Sequence, residues 1–195
     1  TITITNDTVL DASNHAVTIS GTTFTTITSG TNVAISVATA VRIFELKPSV
    51  KFTILNLNLA NGRSTNGGAI FINTNGNVTA SNCIFSGNNA IGTNGFDGAD
   101  GRDQTNFADN GARGGNAGHG LGGAIYNLGE VTLIRCTFRT NAATGGIGGA
   151  GGNGGNGDSQ VGNGGNGGNG GNGGNGYGGA IYSLGAVSMA DCTCA

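Results

Sequence analysis

The sequence predicts an all-β protein, a right-handed single-stranded parallel β-helix of about six coils. Three segments share the pattern Gly-Gly-Ala-Ile-aromatic, at Gly67–Phe71, Gly122–Tyr126 and Gly178–Tyr182, and the second and third start 56 residues apart. In the strands that follow, apolar residues recur at every second position, which places them on one face. Short strands of this kind bury that face only by stacking coil on coil. No 3.6-residue periodicity supports a doubly wound α/β fold, and a β-sandwich is the remaining alternative.

Each repeat continues into an alternating strand and then, after a short step, into a cysteine. Cys83, Cys136 and Cys192 occupy the same place in the three repeats, so we expect them to form a column in the core. They are either small core hydrophobes or disulfide partners, and the parallel Cβ vectors of stacked coils fit a disulfide poorly. Cys194 replaces the phenylalanine of the other repeats, and it is a candidate thiol for a bond to another subunit.

The upstream chain carries weaker copies of the same unit, at Val17–Gly21, Val33–Val37 and Phe52–Leu59. The chain opens with a strand pattern, Thr1–Thr5, rather than with a signal peptide, which fits a processed secreted protein. The whole of 1–195 is therefore predicted to be one β-helix domain with insertions.

Two glycine-rich tracts, 91–121 and 144–177, interrupt the repeats. Glycine recurs in them every third residue, which is the period of the polyproline II helix. The register breaks at 102–110 and again at 158–161, where a hairpin would turn. We expect two polyproline II-type hairpins that leave the β-helix at the same corner and pack as a four-stranded side bundle. The alternative is a disordered linker, because glycine loses the most conformational entropy on folding.

The order of the repeat, with its Gly-Gly-Ala-Ile element and a Cys-x-Phe-x-x-Asn element ending at Asn88 and Asn141, resembles a known group. It is similar to the β-helix repeats of polymorphic outer-membrane proteins and autotransporter adhesin passengers. The resemblance covers nearly all of the chain outside the glycine tracts. It implies a secreted or surface-displayed β-helix and little about chemistry. The membrane barrel that often follows such repeats in that group does not occur within this sequence.

Composition excludes several classes of function. Charged residues make up 9% of the chain and the net charge is −2, so no basic nucleic-acid footprint is present. No apolar run approaches the roughly 20 residues of a membrane helix. The Gly-His-Gly of polygalacturonases occurs at His119, but their paired aspartates and Arg-x-Lys element do not. We predict no catalytic residue, cofactor or metal ion.

Two further kinds of site remain as candidates. The four aspartates of the first tract have oxygen ligands suited to calcium, although solvated turns are the simpler interpretation: Asp97, Asp100, Asp103 and Asp109. Asn6 and Asn77 fit the acceptor rule for N-glycosylation.

The sequence shows no cap over either open end of the predicted β-helix. We therefore expect an extracellular structural protein that assembles head to tail into a surface filament. The alternative is a surface adhesin, an autotransporter-like passenger fragment with a cell-surface or glycan ligand. A further alternative is an ice-binding or carbohydrate-active β-helix.

Overall fold

The computed structural model describes residues 2–4, 8–10, 16–29, 42–104, 107–157 and 162–195. The fold is all-β, every sheet is parallel, and one sheet curls strongly into a half-barrel. The chain divides into two compact units. The strand unit comprises Thr1–Ile91, Gly120–Thr144 and Gly176–Ala195, and the glycine unit comprises Gly92–His119 and Gly145–Asn175.

The strands, in chain order, are β1 (Ile2–Ile4), β2 (Thr8–Leu10), β3 (Ala16–Ser29), β4 (Phe44–Leu46), β5 (Lys51–Ala60), β6 (Arg63–Ser64), β7 (Ile70–Ile72), β8 (Asn77–Ser81), β9 (Ile84–Ser86), β10 (Asn89–Ile91), β11 (Gly120–Leu121), β12 (Ile125–Asn127), β13 (Glu130–Ile134), β14 (Thr137–Arg139), β15 (Ala142–Thr144), β16 (Gly176–Tyr177), β17 (Ile181–Ser183), β18 (Ala186–Ala190) and β19 (Thr193–Cys194).

These strands pair in ladders whose members come from successive repeats. One ladder runs β2-β4-β7-β12-β17, and a second runs β3-β5-β8-β13-β18. A third joins β9, β14 and β19 to the far ends of β5 and β3, and then to β1. Ile125 pairs with Ile70 on one side and with Ile181 on the other, as the predicted stacking of the repeats requires. Two further short ladders, β6-β10-β15 and β11-β16, were not predicted from the sequence.

The core of the strand unit is built from the apolar face of each ladder. Side chains alternate between buried and partly exposed along β5, β8 and β13. The largest fully buried side chains are Phe52, Phe85, Phe138, Ile43, Leu46, Ile54, Leu57, Leu59, Ile70, Ile72 and Ile125. The rings of Phe85 and Phe138 stack in parallel with their centroids 4.7 Å apart, so like residues of adjacent repeats meet directly.

Left-handed residues turn the chain at the same point of each repeat. Asn56, Asn82, Arg135 and Asp191 have φ between 49° and 57°; the last three lie between two strands, and Asn56 lies at the corresponding point within β5. The first glycine of each Gly-Gly-Ala-Ile motif is also left-handed, at Gly67, Gly122 and Gly178. A Cβ at any of these three glycines would overlap the carbonyl oxygen of the isoleucine three residues on. The motif therefore marks a turn that only glycine can make.

The glycine unit is held by hydrogen bonds between backbone groups of four extended segments, 92–104, 107–119, 145–157 and 162–175. Donors recur every third residue, as in Gly95, Gly98 and Gly101, which donate to the carbonyls of Ile147, Ala150 and Asn153 at 2.7–2.9 Å. Gly146, Gly149 and Gly152 likewise donate to Gly118, Gly115 and Ala112. None of the described tract glycines has a left-handed φ. A three-residue period with negative φ is the geometry of the polyproline II helix.

Glycine in this unit is required by the closeness of the neighbouring backbones. The interior holds no large side chain, and its buried residues include Gly114, Gly146, Gly149, Gly152 and Gly155. A Cβ at Gly149 would overlap the carbonyl oxygen of Phe96. The described parts of both tracts therefore lie as closely spaced extended segments, and the choice between packed hairpins and a linker stays a prediction.

Three weaker copies of the repeat were predicted in the upstream chain, and two of them are not fully described. Val17–Gly21 falls in the backbone of β3 and Phe52–Leu59 in β5, whereas Val33–Val37 is not described. The ladder from β2 to β17 has five members among the described strands. The prediction of about six coils stays a prediction.

Candidate functional site

The last layer of the ladders, β16 to β19, exposes an apolar surface. Val187 and Met189 of β18 are 42% and 45% exposed, whereas their partners Val131 and Leu133 in β13 are fully buried. Leu184, between β17 and β18, is 68% exposed. All five residues of β18 are exposed, although apolar residues occupy the same alternate positions as in β8 and β13. We call the outer side of β16–β19 the terminal face.

The terminal face also carries unpaired backbone. Among the described strands, β17, β18 and β19 each pair on one side only. The second glycine of each motif lies close against the next layer. A Cβ at Gly68 would clash with the carbonyl of Gly123, and a Cβ at Gly123 would clash with the carbonyl of Gly179. At Gly179 a Cβ would approach only the Asn141 carbonyl, at 3.4 Å. Position 179 is also a glycine, although no described group lies close enough to it to exclude a Cβ.

The opposite ends of the same ladders lie at β1, β2 and β3. Within the described part of the chain, β2 pairs with β4 alone and Ala16–Ser20 of β3 pair with β5 alone. The last described member of the third ladder is β1, which pairs with Ile27–Ser29. Among the described strands, each of the three long ladders therefore has one edge at β1–β3 and one at β17–β19, and the two sets of edges correspond strand for strand.

The three cysteines predicted to form a core column are brought together. Cys83 and Cys136 are buried, Cys192 is half-buried, and all are free thiols. The Sγ atoms of Cys83, Cys136 and Cys192 donate to the carbonyls of Ile54, Ala80 and Leu133, each one layer back, at 3.4–3.5 Å. The contact with the Cys83 thiol, together with burial, raises the pKa of Cys136. Each thiol thus donates a hydrogen bond to a carbonyl of the preceding layer.

Cys194 stands apart from this column. It pairs with Phe138 in the third ladder, in line with Phe85, and it is exposed. Its exposure on the terminal face is compatible with the predicted bond to another subunit, which remains a prediction.

A row of aromatic rings lies on the outer side of the first ladder. The ring of Tyr126 stacks on that of Tyr182 at 5.7 Å and lies 5.2 Å from that of Phe71. The guanidinium of Arg42 sits 5.0 Å from the centre of the Phe71 ring and forms a 2.8 Å ion pair with Glu45. Burial, and then the proximity of Tyr182, raise the pKa of Tyr126. The rings cover one another, so their faces are used within the row.

The candidate glycosylation sites have different outcomes. The side-chain nitrogen of Asn77, which would carry the sugar, donates to the carboxylate of Glu130 at 2.8 Å. Asn6 lies outside the described residues.

Three of the four aspartates considered for calcium accept backbone N–H groups. Asp97, Asp100 and Asp103 accept the N–H groups of Ala150, Asn153 and Asn156 at 2.6–2.7 Å. Asp109 accepts a hydrogen bond from the Gln104 side chain. His119 accepts the N–H of Asn175 through Nδ1. No group of three or more metal-binding side chains is found among the residues that the structure describes.

Sequence reasoning did not predict the roles of two of the three polar residues that are buried in the described chain, Arg42, Asn88 and Asn127. Asn88 is fully buried, donates to the Leu59 carbonyl and to the side chain of Asn141, and accepts the N–H of Gly62. Its recurrence with Asn141 was visible in the sequence, but the bonds that it makes were not. Arg42 is 8% exposed and donates to the carbonyls of Asn66 and Gly67, and nothing in the repeat pattern marks it.

No protein-family model, no curated protein and no solved structure matches this chain. Across the described ranges, no helix is long and apolar enough to cross a bilayer.

Proposed function

We propose that the chain is a right-handed parallel β-helix that acts as a structural subunit of an extracellular filament. The parallel ladders support the β-helix, since strands of successive repeats pair residue for residue in several separate ladders. The low charge and the resemblance of the repeats to surface β-helices support a location outside the cell.

The terminal face carries the proposal of assembly. Val187 and Met189 occupy positions that are fully buried in the two preceding layers, where a following layer covers them. An exposed parallel edge with apolar side chains is a template for another strand. The residue at 179 is a glycine, as the close approach of a further layer would require.

The partner that we propose is the β1–β3 end of a second copy. Its open edges correspond to those of the terminal face, and pairing would continue each ladder in the same parallel sense. Such a contact joins two different surfaces of the same protein, so it repeats without closing and generates a fibre.

Electron microscopy and sedimentation of the purified chain test this proposal. We expect filaments from the unaltered protein and loss of filaments in Met189→Glu, because the variant places a charge in the face that would be covered. Ser188→Glu is the matched control, because Ser188 pairs with Thr132 on the opposite side of the strand. Monomers at all concentrations, or filaments that persist in Met189→Glu, would contradict the proposal.

A further inference from the structure

The four segments of the glycine unit form two equivalent pairs. Segments 92–104 and 107–119 form the first pair, and segments 145–157 and 162–175 form the second. A shift of 53 residues relates 94 to 147, and a shift of 56 relates 110 to 166, which are also the separations of the hydrogen-bonded partners. Each role in the first pair can therefore be assigned to a residue of the second.

The first pair uses a set of donors to bind the second. Gly95, Gly98 and Gly101 donate to the carbonyls of Ile147, Ala150 and Asn153, while Gly111 and Gly114 donate to those of Asn166 and Asn169. Side chains reinforce this contact, as Asn110 and Asn116 accept the N–H groups of Asn166 and Asn172 at 2.8–2.9 Å.

The corresponding donors of the second pair meet no acceptor among the described residues. These N–H groups belong to Gly148, Gly151, Gly154, Gly167 and Gly170. The side chains of Asn166 and Asn172, which correspond to the accepting Asn110 and Asn116, also have no hydrogen-bond partner within the described segments. The second pair thus presents the arrangement through which the first pair binds a neighbour.

The glycines of the second pair agree with this arrangement. A Cβ at Gly111 or Gly114 would overlap the carbonyl of Gly152 or Gly149, so the second pair requires glycine at both positions. Their counterparts Gly167 and Gly170 would bring a Cβ no closer than 3.7 and 3.5 Å to any backbone atom, which is ordinary contact. Nothing described in the glycine unit accounts for glycine there.

The opposite side of the unit is closed by side chains. Gly146, Gly149, Gly152 and Gly155 face the first pair, and their counterparts in the first pair are Thr93, Phe96, Ala99 and Arg102. Phe96 is 78% exposed. The unit therefore has one face covered by side chains and one glycine-rich face whose N–H donors meet no acceptor among the described residues.

We propose that the bare face, formed by the outer sides of 145–157 and 162–175, docks a further glycine-rich polyproline II segment. The occupant must supply backbone carbonyls every third residue to meet the free N–H groups. It must also carry glycine at least at every third position, because the segment that docks on the first pair does so through Gly146, Gly149 and Gly152. No charged side chain lies in 162–175, so an ionic ligand has no partner there.

The probe is a synthetic peptide of Gly-Gly-Asn repeats, titrated into the full chain and followed by calorimetry and by amide NMR shifts. We expect saturable binding that shifts the amides of Gly167 and Gly170, and no binding of an Ala-Ala-Asn peptide of equal length. Failure of the Gly-Gly-Asn peptide to bind at millimolar concentration, or equal binding of both peptides, would overturn the proposal.

Substitutions separate docking from folding. Gly170→Ala and Gly167→Ala place a methyl group where the chain itself has room, so we expect native amide spectra and loss of peptide binding. Ala99→Val adds bulk to the closed face and should leave binding unchanged. Unchanged binding in both glycine variants, or equal loss in Ala99→Val, would overturn the proposal. This test does not involve the terminal face, so its outcome is independent of filament assembly.

Discussion

In the strand unit each layer contributes large apolar side chains to a common interior, whereas in the glycine unit the interior contains backbone alone. Phe52, Phe85 and Phe138 fill the first interior, and Gly149 and Gly152 fill the second. The first is stabilised by removal of apolar surface from water. The second depends on a regular network of peptide hydrogen bonds, each with a modest net contribution. The two units are therefore packed differently, one through apolar side chains and the other through backbone hydrogen bonds.

The two units should respond in opposite ways to changes in side-chain volume. Removing side-chain atoms leaves a cavity in the strand unit, whereas the interior of the glycine unit has no large side chain to shorten. Adding a methyl group to the glycine unit forces backbones apart. The following predictions use this difference, beginning with the largest effect.

Phe85→Ala tests the apolar interior. Phe85 is fully buried and stacks on Phe138, so we expect the free energy of unfolding to fall by about 3–5 kcal/mol. The control is Phe96→Ala in the glycine unit, where the ring is 78% exposed and little change is expected. Urea unfolding followed by circular dichroism measures both. Equal losses in the two variants would mean that the two interiors do not differ as described.

Gly149→Ala tests the backbone interior. A Cβ there would overlap the carbonyl oxygen of Phe96, and we expect a loss of about 1–3 kcal/mol in the local stability of the glycine unit. Gly146 and Gly152 lie in the same segment as Gly149 and donate to the carbonyls of Gly118 and Ala112, so hydrogen exchange at their amides reports that loss. Gly170→Ala, with 3.5 Å of room, should leave exchange unchanged. Similar protection in both variants would argue against close backbone packing.

Asp100→Ala probes the smallest effect, the side-chain acceptors along the glycine unit. The Asp100 carboxylate accepts the N–H of Asn153 at 2.6 Å in an exposed setting. Its loss should cost at most about 1 kcal/mol. We expect faster exchange of the Asn153 amide in Asp100→Ala and near-normal exchange in Asp100→Asn, which keeps an acceptor. If Asp100→Asn behaves like Asp100→Ala, charge rather than the hydrogen bond is responsible.

The sequence predicted the features that depend on repetition. The repeated motifs placed Ile70, Ile125 and Ile181 in one ladder and Cys83 and Cys136 in one column, because residues at equivalent positions of stacked repeats become neighbours. The glycine period likewise indicated which tract residues face a neighbouring backbone.

Features that depend on local geometry could not be predicted in this way. Periodicity does not reveal hydrogen bonds from side chains to backbone carbonyls, so the thiol bond from Cys83 to Ile54 and the bonds of Asn88 were missed. The role of Asp97 and Asp100 was also missed, because an exposed carboxylate that accepts a peptide N–H has the same sequence signature as a solvated one.

An engineered pair of histidines tests the parallel stacking of the repeats most directly. Thr79 and Thr132 pair across β8 and β13 on the partly exposed side of the strands, at the roughly 4.8 Å spacing of adjacent strands. We expect Zn²⁺ to raise the melting temperature of Thr79→His/Thr132→His but not that of either single variant. Thr79→His/Ser188→His, two layers apart through the pairing of Thr132 with Ser188, should not respond. Absence of a zinc effect in the first pair, or an equal effect in the second, would contradict the stacked register.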